Sequence, residues 1–244
     1  MNPTSPTIAL PPQVQPALDL FVTQLRSSLG ANLVSVVLYG GVAKGRYDPA
    51  HSDVNVMVVL REAPLDALDL VAAAAAPARR EITLRLLTLA ERDLADCIEV
   101  FATKFLDIRR SHLLLDGADV LSALDISKER LLRQARRELV NLQLRLRQTY
   151  LDSAGRPEIL EAHLQRGATT LFLNLGVLIE LKTGARHDTF AEIADAAAVI
   201  GFDAAALREL RALRRERAAT PDLHQLCDRI LGQLDAALRL ASTL

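Results

Sequence analysis

The residues with the clearest chemical potential lie in two short stretches, Gly40-Gly41-Val42-Ala43-Lys44-Gly45-Arg46 and Ser52-Asp53-Val54-Asn55. A paired glycine lets backbone N–H groups approach an anion closely, so Gly40 and Gly41 are candidate phosphate-cradling residues, with Lys44 and Ser52 beside them. Asp53 and Asn55 are two residues apart, and a strand turns such a pair to one face. Facing oxygens at that spacing are a metal site in outline. Asp53 supplies a carboxylate, but Asn55 supplies an amide, which offers one neutral oxygen and removes a full charge from the site.

The elements that position these residues are legible around them. Residues 34–39 and 54–60 are β-branched runs, so the glycines fall between two buried strands. Val14, Leu18, Phe21, Leu25 and Leu29 recur at helical spacing and stop at Gly30. An alanine-rich helix is expected over residues 64–78, a third strand over 82–87, and a short fourth strand over 112–115 before Asp116-Gly117. From Ser127 the pattern is helical throughout. Leu132, Ala135, Leu139, Leu142, Leu146 and Tyr150 define one face of a helix about six turns long. A second long helix carries Leu160, Leu164, Leu171, Leu175 and Leu178, and three further segments are separated by Gly201-Phe202-Asp203 and Thr220-Pro221-Asp222. The expected fold is α+β: a small mixed-sheet domain over residues 13–125, then an all-helical bundle over 126–244, with residues 1–12 as a flexible leader.

The glycine turn followed about ten residues later by Ser-Asp-x-Asn resembles the signature of the nucleotidyltransferase superfamily, whose fold is that of DNA polymerase β. The two-part layout resembles the aminoglycoside and kanamycin nucleotidyltransferases and related bacterial proteins. That resemblance implies transfer of a nucleoside monophosphate from an NTP to a small-molecule or protein hydroxyl. Two Mg²⁺ ions would stabilise the attacking and leaving oxygens, held by three carboxylates. It assigns metal binding to Asp53 and Asn55, phosphate contacts to Gly40, Gly41, Lys44 and Ser52, and the third carboxylate, which acts as base, to Glu81. In this chain Asn55 replaces a carboxylate, and strand alternation puts Thr83 rather than Glu81 at the third position if it runs from Ile82. The expectation is therefore weak Mg²⁺ and NTP binding with impaired or absent transfer. The alternative is an inactive descendant used as a protein-interaction or antitoxin-like module. The resemblance also leaves room for a homodimer.

Composition narrows the rest. A net charge of −1 gives no general attraction to nucleic acid or anionic membrane, and no apolar run is long enough to span a bilayer. The leader has no basic start followed by an apolar block, so it is not a secretory signal, and cytoplasmic residence is the expectation. Cys97 and Cys227 share no metal spacing and read as buried free thiols, with a disulfide left open. Arg130, Arg133, Arg136, Arg137, Arg145 and Arg147 read as the solvated side of their helix. His51 reads as a surface loop residue, and His112, His163, His187 and His224 share no ligand pattern.

Overall fold

The structure is a computed structural model that describes residues 10–49, 52–154, 156–213 and 222–244. His51, most of the leader and the Thr220-Pro221 break lie outside the described residues. The chain divides into two compact units, Met1–Ile126 and Ser127–Leu244.

The first unit is built on a four-stranded mixed sheet in the order β3-β2-β1-β4, formed by β1 (Leu33–Tyr39), β2 (Val54–Leu60), β3 (Leu84–Ala90) and β4 (His112–Gly117). β1 pairs antiparallel with β2 and β4, whereas β2 and β3 run parallel. Parallel neighbours require a crossover, and α2 (Leu65–Glu81) supplies it. The two central strands are almost continuously apolar because both faces are covered. Val36, Leu38, Val54, Val56 and Val58 pack under α1 (Val14–Leu29) and α2. Val37, Met57, Val59 and Leu89 pack under α3 (Leu94–Arg110). Leu10 already packs on the first of these cores.

Four local expectations are revised. The third strand begins at Leu84 rather than Ile82, because α2 continues to Glu81 before the chain extends at Ile82. β4 runs on through Asp116-Gly117, beyond the expected end at residue 115; Asp116 stays in register with Val36 and is bonded by Arg26. α3 was not read from the sequence at all, although Leu94, Ile98, Ala102, Phe105 and Ile108 recur at helical spacing through the non-helical backbone at Phe101. Cys97 lies half-buried on that helix, so only Cys227 is a buried thiol; both are free, and burial pushes Cys227 up to about 11.

The second unit has five helices among the described residues: α4 (Lys128–Asp152), α5 (Pro157–Thr183), α6 (Phe190–Val199), α7 (Ala204–Ala212) and α8 (Leu223–Thr243). Their starts are chemically marked. Ser127, Asp203 and Asp222 each accept a backbone N–H of the first turn, and Thr189 with Glu192 forms a reciprocal capping box. Pro157 opens α5, where a missing N–H costs nothing, and Gly184 ends it in the left-handed region. The core joins Leu139 and Leu146 of α4, Leu171 and Leu178 of α5, Leu207 of α7 and Leu234 of α8. No helix among the described residues is long and apolar enough to cross a membrane.

Candidate functional site

β1 ends at Tyr39, and the chain reverses through Gly40 and Gly41 into a single helical turn, Val42–Lys44. Gly40 has a φ of +79°, which L side chains rarely adopt, and a Cβ there would lie 3.2 Å from Asn55 Nδ2. A Cβ on Gly41 would lie 3.0 Å from the carbonyl oxygen of Arg46, which closes the loop through its own N–H to Gly41 O at 2.8 Å. The turn itself therefore requires both glycines, whatever it binds.

The loop that follows is braced by its own residues. Asp48 N donates to Ser52 Oγ at 2.9 Å, and Ser52 N donates to Asp48 O at 2.8 Å. Ser52 thus holds the chain for its entry into β2. Lys44 is committed elsewhere: its ammonium donates to both carboxylate oxygens of Asp107 on α3, at 2.6 and 2.8 Å. With only 19% of its side chain exposed, it is a brace between the turn and α3 rather than a free cation.

Asp53 lies immediately before β2, and Asn55 is its second residue. Both belong to the face that carries Met57 and Val59, and Asn55 Nδ2 approaches the Asp53 carbonyl oxygen at 3.4 Å. Register then decides what stands beside them. Asn55 pairs with Arg85 on β3 and with Tyr39 on β1, and Tyr39 pairs with His112 on β4. A row Arg85, Asn55, Tyr39, His112 therefore crosses the sheet on one face. One step earlier, Val54 N donates to Thr83 O at 2.9 Å, which sets Thr83 beside Asp53. Burial raises the Tyr39 hydroxyl above the usual phenol range, so it stays protonated.

The positions where β3 faces Asp53 and Asn55 thus hold Thr83 and Arg85. Glu81 is the exposed last residue of α2 and does not open the strand, as the sequence had suggested. Arg85 Nε lies 3.5 Å from Asp53 Oδ1. The side chains are 68% and 47% exposed, so water screens the pair and it adds little stability. Its chemical effect is to set a positive charge beside the one carboxylate of the Asp53–Asn55 pair.

These donors do not fit a Mg²⁺ centre. Mg²⁺ needs several hard oxygen ligands at short range, and here one carboxylate is shared with a guanidinium and the other position is an amide. Among the described residues, no group of three or more His, Cys, Asp or Glu side chains is placed to hold a metal ion.

Sequence reasoning did not find Arg85 or the groove it borders. An open groove of about 670 Å³ runs along the β3 edge, lined by Arg79, Arg80, Thr83, Arg85 and Tyr47, with Glu81 the carboxylate in its wall. Arg79 and Arg80 close the C-terminal turn of α2, where the helix dipole favours cations. The doublet was visible in the sequence, but its convergence with Arg85 depends on the crossover geometry.

No protein-family model matches the sequence, and a search of curated proteins returns no match. Among solved structures, the chain is similar to the spectinomycin adenyltransferase of Enterococcus faecialis crystallised with ATP and spectinomycin. The TM-score is 0.61 at 13% identity, over 91% of this chain and 99% of that one. It also matches a nucleotidyltransferase-like protein of Exiguobacterium sibiricum at a TM-score of 0.42 and 12% identity, over 91% and 74% of the two chains. At these identities the likeness speaks to architecture. The fold is nucleotidyltransferase-like, with an α+β unit followed by helices.

Proposed function

We propose that this protein binds a nucleotide on the β2–β3 side of its α+β unit and transfers it poorly or not at all. The observation that carries this reading is Arg85, which sits beside Asn55 and reaches Asp53 where a transferase needs carboxylates. Guanidinium groups recognise phosphate oxygens through a planar fork of donors. Arg85 has donors to spare beyond Asp53, and Arg79 and Arg80 have no ion pair or hydrogen bond among the described residues. The groove thus offers three guanidiniums to a polyphosphate; Asp53 and Asn55 do not line it, and Arg85 is the residue that connects it to them. A structural neighbour solved with ATP and a small-molecule acceptor supports nucleotide as the ligand class, by analogy of fold. The acceptor of any residual transfer is a hydroxyl on a small molecule or a protein.

Isothermal titration with ATP, GTP, CTP and UTP, in Mg²⁺ and again in EDTA, tests the reading. Binding in the range of roughly 0.1–10 mM is expected, with affinities in the two buffers within about threefold, and Arg85→Ala should weaken it by about tenfold. Affinity that depends strongly on Mg²⁺ would restore the metal site. No binding at about 10 mM nucleotide would instead favour an inactive fold that serves a protein partner.

A further inference from the structure

A second concave site lies wholly within the helical unit. Between α4 and α5 there is a cavity of about 360 Å³, within the range of small-ligand pockets. Leu142 and Gly167 form part of its lining, and a Cβ on Gly167 would lie only 2.7 Å from Leu142 Cδ1, so the helices meet closely there. Arg145 of α4 and Arg166 of α5 line it, with Asn141 and Thr170 as neutral polar groups and Glu138 as its one carboxylate.

The charges of this cavity are poorly matched. Neither Arg145 nor Arg166 makes a hydrogen bond or ion pair among the described residues, whereas Arg136 is bonded to Ser242 and Arg137 lies against Glu138. Arg145 thus lacks the protein partners that Arg136 and Arg137 have, and it lines the cavity. His163, also on the wall, is held by Thr149, whose Oγ1 lies 3.2 Å from Nδ1. Its other ring nitrogen, Nε2, is buried and has no partner among the described residues. A buried polar atom without a partner costs about 1–3 kcal/mol. Burial, then the nearby charges of Arg166 and Arg145, hold the imidazole below its ordinary range, so the ring is neutral at pH 7.

We infer that this cavity is a binding site for a small oxyanion, a phosphate ester or a polycarboxylate, clasped between Arg145 and Arg166. Two guanidiniums from different helices converge on one volume, and an anion supplies the acceptors that they lack. The site is separate in sequence and structural unit from the groove at Arg85.

Titration of the full chain with inorganic phosphate and with citrate, by calorimetry, tests this. Saturable binding of at least one anion is expected, weakened about tenfold or more in the variant Arg145→Ala with Arg166→Ala. Arg85→Ala should leave that affinity within about twofold. Both arginines of the cavity are exposed, so the double variant should unfold at the wild-type temperature. Tighter phosphate assigns a phosphate ester, and tighter citrate a polycarboxylate. Equal affinity in the double variant, loss of binding in Arg85→Ala, or no saturation by about 20 mM of either anion overturns the proposal.

Discussion

At the scale of single residues, two departures of charge type, the amide of Asn55 and the guanidinium of Arg85, set this site apart from a cluster of carboxylates. Asp53, Asn55 and Arg85 together carry no net charge, and a divalent ion placed among them would meet as much repulsion as attraction. Asn55→Asp alone leaves the guanidinium in place, so it should add little metal affinity. Asn55→Asp combined with Arg85→Asp puts three carboxylates on one face of two paired strands. Mg²⁺ or Mn²⁺ titration should then detect binding about tenfold or more tighter than in either single variant. Equal weakness in the double variant would mean that these side chains do not converge. The shared face of Asp53 and Asn55 was legible in the sequence because their spacing is local. Arg85 was not, because its partnership with Asn55 is a matter of cross-strand register after a helical crossover.

At the scale of elements, what could be read follows how strongly each segment's own pattern decides it. β1 and β2 are covered on both faces and so appear as nearly continuous apolar runs, while α4 and α5 repeat at helical spacing over many turns. α3 was overlooked although Leu94, Ile98, Ala102, Phe105 and Ile108 repeat at helical spacing, and the end of α2 was blurred by Pro77 within the helix. The shorter helices depend on their ends, and α7 shows this most clearly. Asp203 accepts from Ala206 N at 2.9 Å and also receives the Arg229 guanidinium of α8, which bonds Glu209 as well. Those contacts hold the Asp203 carboxyl below its usual range, the Arg229 hydrogen bond contributing most. A carboxylate with a depressed folded pKa adds stability that is fully present above its unfolded pKa of about 4, and that is lost as pH falls through the folded value. Asp203→Ala should therefore destabilise the helical unit by about 1 kcal/mol at pH 7 through the lost cap. Urea unfolding at pH 7 and pH 3 measures it, and an undiminished difference at the lower pH would rule out the ionised cap as the cause.

At the scale of the whole molecule, burial is divided as the chain is. The sheet's two cores draw only on residues before Ser127, and the large helical core draws only on residues after it. A unit with its own core and marked helix ends meets the physical conditions for independent folding. Each unit also carries one of the proposed anion sites: the Arg79, Arg80 and Arg85 groove in the first, and the Arg145 and Arg166 cavity in the second. The fragments Met1–Ile126 and Ser127–Leu244, expressed separately, should each unfold cooperatively, the second with a strongly helical circular dichroism spectrum. Function should divide the same way. The first fragment should bind ATP within about threefold of the full chain, and the second should keep the affinity for inorganic phosphate or citrate. Loss of both activities in well-folded fragments would show that the sites are built from residues of both units. Loss in only one would confine that dependence to its own site and leave the other assigned to its unit, so fragment titration distinguishes a two-site molecule from one with a single shared site.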